Sequence, residues 1–280
     1  MEIIFEKVSL ITNKGTPLEK TILNNVSFSL PENKIISFVG SSNSGKTAVA
    51  ELIDVLISPT KGIIKIGDFY NDGKIIRNVN DLRRKIGYIF NNPYDMFFNK
   101  TVEDEIGFGA YYFNYKKYEL EKRIKDALIL VGLDESYLEK NPLDLSLSDA
   151  KKVALASIIV YNPEVIILDE VEIGLNYSER KNIKKLIVML KEKYNKTVII
   201  LTKNTDFIYD ITDEVFVMNK TKLIKNGDIS LLRDKSLMDF CDLNVPKIAE
   251  VIEKIREKNI DMEDYKDIKD LIKAVYRNVF

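Results

Sequence analysis

The chain has 280 residues, enough to bury a sizeable core in one or two domains. Lysine and arginine number 42 against 43 aspartates and glutamates, so the net charge of −1 gives no basic footprint for nucleic acid or acidic lipid. The single cysteine excludes an internal disulfide, and the absence of histidine removes the commonest proton carrier and metal ligand at neutral pH.

The N-terminus, MEIIFEKVSL, predicts a β-strand rather than a signal peptide, because acidic residues interrupt its apolar run. No apolar run approaches the roughly 20 residues of a membrane helix, so we expect a cytosolic chain. Further β-rich runs alternate with helical patterns, and two of them, both reading VIIL, are typical of parallel strands buried on both faces. Strands are predicted at residues 3–10, 26–30, 34–39, 63–66, 86–90, 165–168, 197–201 and 215–218.

Helical patterns separate these strands, as the α/β class requires. Residues 101–158 are almost wholly helical and predict a subdomain inserted between strands, while 178–193 carry apolar residues at helical spacing after a serine cap. After residue 227 the pattern turns helical again. We therefore predict an α/β domain over 1–227, with a helical subdomain at about 92–158, and a helical appendage over 228–280.

A glycine-rich loop follows the strand IISFV and opens the helix TAVAELIDVL. Its residues are Gly40, Ser41, Ser42, Asn43, Ser44, Gly45, Lys46 and Thr47. This is the Walker A pattern, in which backbone N–H groups and a helix N-terminus bind phosphates. Lys46 is predicted to reach the β- and γ-phosphates, and Thr47 to place its hydroxyl on Mg²⁺.

A pair of carboxylates ends the strand VIILDE. Asp169 and Glu170 would lie at the carboxyl edge of the sheet, where doubly wound folds bind ligands. Asp169 is predicted to hold Mg²⁺ and Glu170 to polarise an attacking water. On its own the pair could be a solvated strand end, but its association with a phosphate loop favours catalysis.

With these motifs placed, the order of segments resembles the ATP-binding subunits of ABC transporters. Residues 82–109, which include TVEDEIGFG, are similar to the ATPases of energy-coupling factor (ECF) importers, as is the tail CDLNVPKIAEVIEKI. The resemblance implies a P-loop NTPase core with an inserted helical subdomain and C-terminal helices that help to pair two ATPase subunits. It also implies ATP and Mg²⁺ as ligands and a peripheral position at the cytoplasmic face of the membrane.

The segment LSLSD occupies the place of that family's signature, LSGGQ, which contacts the γ-phosphate of ATP bound by the partner subunit. Ser146 is conserved in this pattern, but Leu147 and Ser148 replace both glycines and Asp149 replaces the glutamine. Added side chains hinder close approach of the backbone. Because Asp149 follows Ser146 by three residues, we expect this stretch to cap its own helix.

Other positions of the family pattern are also altered. The Q-loop glutamine of the family aligns with Asn91, which the resemblance implies would contact Mg²⁺ and the attacking water. The switch histidine aligns with Lys203, which would bind phosphate as a point charge. The D-loop aspartate aligns with Asn176, and the adenine-stacking aromatic with Thr12. A slip in the alignment would make Asn91, Asn176 and Lys203 ordinary surface residues.

Two functions remain open at this point. The intact Walker motifs favour an ATPase subunit that drives vitamin or metal-ion uptake, whereas the altered signature favours a regulatory pseudo-ATPase whose partner hydrolyses ATP. Either reading implies a second ATPase subunit, a transmembrane coupling component and a substrate-binding membrane component, and no nucleic acid. The sequence does not decide between a homodimer and a heterodimer, but the altered motifs favour an unlike second ATPase. The surface around Met96, Phe97 and Phe98 is predicted to contact the coupling component, unless both phenylalanines are core residues.

Overall fold

The computed structural model describes residues 1–74, 78–113, 115–258 and 260–279. The predicted helical subdomain therefore includes Asn114, and the predicted C-terminal region includes Asn259 and Phe280, which lie outside the described residues. The strands are β1 (Ile3–Thr12), β2 (Lys20–Leu30), β3 (Ile35–Val39), β4 (Lys61–Ile66), β5 (Phe69–Asn71), β6 (Ile86–Ile89), β7 (Val165–Asp169), β8 (Thr197–Thr202), β9 (Glu214–Asn219) and β10 (Lys222–Gly227).

Helices lie between these strands and at the C-terminal end. They are α1 (Lys46–Ile53), α2 (Val79–Arg83), α3 (Val102–Tyr112), α4 (Lys117–Leu130), α5 (Leu147–Ile159), α6 (Tyr177–Glu192), α7 (Thr205–Ile208), α8 (Lys235–Phe240), α9 (Lys247–Arg256) and α10 (Ile268–Val279). Within the described residues, none of these helices is long and apolar enough to cross a bilayer.

The central sheet has the strand order β10-β9-β3-β8-β7-β6. Strands β9, β3, β8, β7 and β6 pair in parallel, and β10 adds an antiparallel edge. Every residue of β3, β7 and β8 is buried, which explains their continuous apolar sequences. The polar edge strand β10 and the three-residue β5 lack such a run, and their sequences did not predict them.

A second, antiparallel sheet in the order β2-β1-β4-β5 covers part of the central one. Aromatic rings fill the space between the sheets: Phe28 lies 5.3 Å from Phe38 and 5.5 Å from Phe216, measured between ring centroids. Phe5 stacks on Phe28 at 4.4 Å and extends this cluster. The packing fixes β1 and β2 beside the loop that follows β3.

The chain between β6 and β7 folds as helices α3, α4 and α5. Ile106, Leu128 and Val153, one from each helix, are fully buried in a common apolar cluster. Thr101 caps α3, its hydroxyl accepting from the N–H of Asp104 at 3.1 Å, and α5 returns the chain to β7.

The C-terminal helices pack on the same apolar cluster. Among the residues buried in it are Ile252 of α9, Met262 of the segment between the two helices, and Leu271 of α10. The C-terminal region therefore packs directly on the core. On its outer side α10 exposes Ile268 and Ile272, four residues apart and so on one helical face.

Candidate functional site

Four parallel strands bring the predicted site residues to one edge of the sheet. The glycine-rich loop follows β3, Lys203 follows β8, Asp169 and Glu170 end β7, and Asn91 follows β6. These strands are neighbours in the order β3-β8-β7-β6, so their carboxyl ends lie side by side. Segments distant in sequence thereby meet in one place.

The loop between β3 and α1 wraps closely because of its glycines. Gly45 has φ of +102°, and a Cβ there would lie 2.6 Å from Leu23 Cδ2 and 2.9 Å from the Ile22 carbonyl. A Cβ on Gly40 would lie 2.4 Å from the carbonyl oxygen of Met218. The neighbouring strands therefore leave room only for backbone at these positions.

The Lys46 side chain folds back over this loop. Its amine donates to the carbonyls of Gly40 at 2.7 Å and Ser41 at 3.0 Å, and to the Ser44 hydroxyl at 3.3 Å. Burial lowers the pKa of Lys46, while the charges of Glu170 and Asp169 oppose that shift. A buried ammonium held by neutral acceptors is suited to an incoming anion.

Thr47 and Asp169 are in direct contact. The Thr47 hydroxyl donates to Asp169 Oδ2 at 2.9 Å, and the Tyr88 hydroxyl donates to the same oxygen at 3.3 Å. Burial raises the pKa of Asp169, and these hydrogen bonds oppose the shift. Tyr88 was not predicted as a site residue. The sequence could have indicated it, because Tyr88 places a hydroxyl group on a buried strand three residues before Asn91.

Glu170 and Asn91 are also brought together. The Asn91 amide donates to Glu170 Oε2 at 3.1 Å, and Glu170 is half-buried with its backbone at φ of +46°. Lys203 is exposed, yet its charge is among the causes that lower the pKa of Lys46, after burial. The charges of Asp169, Glu170 and Lys203 therefore all act on the Lys46 amine at this edge of the sheet.

A cavity of about 740 Å³ opens over this constellation. This volume lies in the range of small-molecule sites. Of the predicted residues, its lining contains Ser42, Asn43, Ser44, Gly45, Lys46, Thr47, Asn91, Asp169 and Glu170. Leu10, Thr12 and Ile22 line the part formed by β1 and β2, while Gly40, Ser41, Ser146 and Lys203 are outside the lining.

Comparison with known proteins decides the family. The family model described as ABC transporter matches residues 23–172. The chain belongs to the ABC transporter family. It is 32% identical over 270 residues to the energy-coupling factor transporter ATP-binding protein EcfA2 of Clostridium acetobutylicum, covering 96% of this chain and 93% of the relative. It is also 32% identical over 259 residues to EcfA3 of Oenococcus oeni, covering 92% and 90%.

Solved ABC structures share the fold. CbiO1 of Clostridium perfringens, part of the ABC transporter complex CbiONQ, superposes with a TM-score of 0.73 at 26% identity, covering 90% of this chain and 98% of CbiO1. The dimeric ATP-binding cassette MJ0796 bound to ADP and phosphate has a TM-score of 0.75 at 22% identity, covering 81% and 98%. The predicted α/β P-loop fold and the resemblance to ECF transporter ATPases are confirmed.

The segment at the place of the ABC signature is held by its own side chains. The Ser146 hydroxyl caps α5 by accepting from the Asp149 N–H at 3.2 Å, and it donates to Asp149 Oδ2 at 3.1 Å. Asp149 also accepts from Lys152 at 2.8 Å and from Tyr137 at 3.2 Å. Burial acts to raise the pKa of Asp149, but the Lys152, Ser146 and Tyr137 contacts lower it, so the group stays ionised.

The same segment is packed against the turn after β7. A Cβ on Gly174, which has φ of +78°, would lie 2.3 Å from Leu147 Cδ2. Asn176 caps α6, and its capping partner Glu179 has a lowered pKa, caused first by the Asn176 N–H and then by the Ser148 hydroxyl. Leu147 and Ser148, which replace the signature glycines, therefore contact this chain's own D-loop region.

A buried lysine, which sequence reasoning missed, joins α5 to that turn. Lys151 is 1% exposed, and its amine donates to the carbonyls of Glu170 at 3.1 Å, Val171 at 3.0 Å and Ile173 at 2.7 Å. The signal was its position: Lys151 falls on the same helical face as Leu147, Ala154 and Ile158, three to four residues apart.

The predicted contact surface around residues 91–100 needs one correction. Phe97 is 8% exposed and lies in the apolar core, so it is not a surface contact, whereas Phe98 is 62% exposed and packs edge-on against Phe108. The reason is local: the backbone at Phe97 is extended, so successive side chains point to opposite sides. Phe98 borders a groove that also contains Asp54, Phe108 and Tyr112.

Proposed function

We propose that this chain is the ATP-binding subunit of an ECF-type ABC importer and that it hydrolyses ATP in its own Walker site with Mg²⁺. The hydrogen bond between Thr47 and Asp169, 122 residues apart, carries the proposal. It joins the phosphate loop to the acidic strand end in the arrangement that phosphoryl transfer needs. Curated relatives that are ECF transporter ATP-binding proteins support the transport role.

The phosphates of ATP would lie against the N-terminus of α1. The loop's backbone N–H groups and the Lys46 amine supply donors, and Lys46 exchanges its three internal acceptors for phosphate oxygens. The nucleoside would extend toward Leu10, Thr12 and Ile22, which line the far part of the cavity. Aliphatic contact would then replace an aromatic stack.

The residues at the Walker site fit Mg²⁺. The Thr47 hydroxyl and Asp169 carboxylate, which are adjacent, are hard oxygen donors, and Mg²⁺ takes few protein ligands when phosphates and water complete its shell. Bound Mg²⁺ would neutralise phosphate charge. Asn91 lines the same cavity as Thr47 and Asp169 and would offer an amide oxygen as a further ligand.

Glu170 is proposed as the residue that polarises the attacking water. Its Oε2 is already oriented by the Asn91 amide, and a positioned carboxylate can accept a proton from water as the γ-phosphate is attacked. Lys203 would hold the γ-phosphate as a point charge in the place of a histidine. Each of these roles uses a residue at the same sheet edge.

The proposed assembly adds three partners to this chain. A second, unlike ATPase subunit would meet the Ser146 face and the exposed Ile268 and Ile272 of α10, consistent with a C-terminal pairing region over 228–280. Transmembrane coupling and substrate-binding components would place this subunit at the cytoplasmic face of the membrane. Because the hydroxyl of Ser146 already caps α5, the partner's ATP would meet the weaker of two composite sites.

The function is tested with Glu170→Gln in the complex purified with its membrane partners and second ATPase. We expect ATP hydrolysis to fall by at least about 100-fold, because an amide cannot accept the proton from water. The matched control is Glu164→Gln, at the other end of β7. Glu164 makes partly exposed ion pairs with Lys85 and the N-terminus, which contribute little to stability, so hydrolysis should be unchanged. Hydrolysis that persists in Glu170→Gln would instead assign the chemistry to the partner and this chain to the regulatory alternative.

The membrane contact is tested with Phe98→Asp. We expect recovery of the transmembrane component with the tagged chain to fall at least about 10-fold, since a charge replaces an exposed aromatic anchor beside the groove. Phe240→Asp, an equally exposed phenylalanine on α8, is the control and should co-purify normally. Undiminished recovery with Phe98→Asp would refute this contact surface.

A further inference from the structure

The turn after β7 contains a buried carboxyl group that the proposed mechanism does not use. Glu172 is 1% exposed, and its Oε1 accepts a hydrogen bond from the Thr202 hydroxyl. Its Oε2 is buried and has no hydrogen-bond partner among the described residues. A side chain this close to Glu170 and this completely enclosed requires a physical explanation.

The surroundings favour the neutral acid. An ionised carboxylate with one buried, unpaired oxygen is costly. Burial raises the pKa of Glu172, the charge of Glu170 raises it further, and the Thr202 hydrogen bond and the Lys151 charge oppose the shift. A neutral group can hold Thr202 without drawing Lys46 or Lys151 from their carbonyl acceptors.

Thr202 connects this acid to the segment that carries Lys203. Its hydroxyl donates to Glu172 and accepts from the backbone N–H of Asn204 at 2.9 Å. The Asn204 side chain in turn caps α7 by accepting from the Phe207 N–H at 3.1 Å. The backbone is therefore fixed on both sides of Lys203, and the anchor is the turn that begins with Glu170.

We propose that Glu172 is a positioning residue that, through Thr202, orients Lys203 toward the γ-phosphate of bound ATP. The inference rests on the proposed function, which assigns Lys203 to that phosphate. Glu172 itself does not touch the nucleotide. Its effect is therefore expected for ATP, which has a γ-phosphate, and not for ADP, which lacks one.

A purely structural role makes a different prediction. If Glu172 only filled space, its removal would weaken ATP and ADP binding alike, and would do so whether or not Lys203 was present. If it acts through Lys203, its effect disappears once Lys203 is removed, because nothing is left to position. The two roles are therefore separated by nucleotide preference and by a double-mutant cycle.

The experiment is equilibrium binding of ATP and ADP to the full chain, measured by fluorescence titration. We expect Lys203→Ala and Glu172→Ala each to weaken ATP binding about 10-fold and to leave ADP binding within about twofold, and the double variant to lose no more than either alone. Glu172→Gln, neutral and still an acceptor for Thr202, should retain wild-type ATP affinity. Thr202→Val removes the hydrogen bond to Glu172 but keeps Glu172 itself, and its loss of ATP affinity should equal that of Glu172→Ala. This second variant keeps the test valid if Glu172→Ala fails to fold.

Four results would overturn the inference. Additive losses in the double variant, or equal losses for ATP and ADP, would reduce Glu172 to a structural group. Unchanged ATP affinity in both Glu172→Ala and Thr202→Val would remove the link. An unaffected Lys203→Ala would place the failure in the assignment of Lys203, whereas loss of ATP binding by the unaltered chain would instead refute the proposed function.

Discussion

Replacing Lys46 with alanine is expected to weaken ATP binding by about 100-fold. The lysine supplies the charge-assisted hydrogen bonds to phosphate, which are worth roughly 1.5–3 kcal/mol each, and its amine is the buried cation nearest the loop's N–H groups. Fluorescence titration with ATP measures the change. Unchanged affinity would refute the phosphate-loop assignment.

The control for this variant must separate lost charge from lost structure. Lys34→Ala lies at the opposite end of β3, where its partly exposed amine pairs with Glu214, and should leave ATP affinity within about twofold. Because the Lys46 amine also holds the carbonyls of Gly40 and Ser41, urea unfolding of Lys46→Ala should accompany the titration. A folded variant that has lost ATP affinity is the expected result.

The second large effect is expected for Lys151→Met. This change keeps the aliphatic length of the side chain but removes an ammonium whose three N–H groups donate to three carbonyls of the turn after β7. Among the described residues, only the Glu170 carbonyl of these three has a second donor, the Ile173 N–H, so removing the ammonium should lower the free energy of unfolding by about 3 kcal/mol. Urea denaturation of the full chain provides the measurement.

The adjacent residue offers a matched control. Lys152→Met removes the same charge from the same helix, but Lys152 makes a partly exposed ion pair with Asp149, so the expected loss is at most about 1 kcal/mol. Equal destabilisation by the two variants would show that the carbonyl contacts of Lys151 contribute nothing specific. Reduced hydrolysis by Lys151→Met in the complex would further indicate that it holds Glu170 in place.

The sequence predicted those parts of the fold that depend on local pattern. Strands β3, β7 and β8 are continuous apolar runs because both their faces are buried, and the glycine-rich loop is recognisable because its chemistry lies within eight consecutive residues. The placement of Asn91 and Lys203 beside this loop followed from the resemblance to a family. Composition and periodicity alone did not supply it.

Contacts between distant segments were not predictable in the same way. Tyr88 with Asp169, and Glu172 with Thr202, are pairs whose meeting depends on the parallel order of β6, β7 and β8. Phe97 and Phe98 are chemically identical, and only the direction of the backbone decides which one is buried. The stretch around Ser146 was expected to cap its own helix, and it does so through the Ser146 hydroxyl rather than the Asp149 carboxylate, which accepts from side chains.

The contacts of Lys46 also bear on the thermodynamics of nucleotide binding. A loop already closed over its own lysine has its backbone ordered before ATP arrives, so association exchanges existing hydrogen bonds and requires little further conformational ordering. Binding should accordingly show a favourable enthalpy and a small change in heat capacity. A substitution at Gly45 would then reduce affinity by displacing this ordered loop, because a Cβ there would collide with Leu23 and the Ile22 carbonyl.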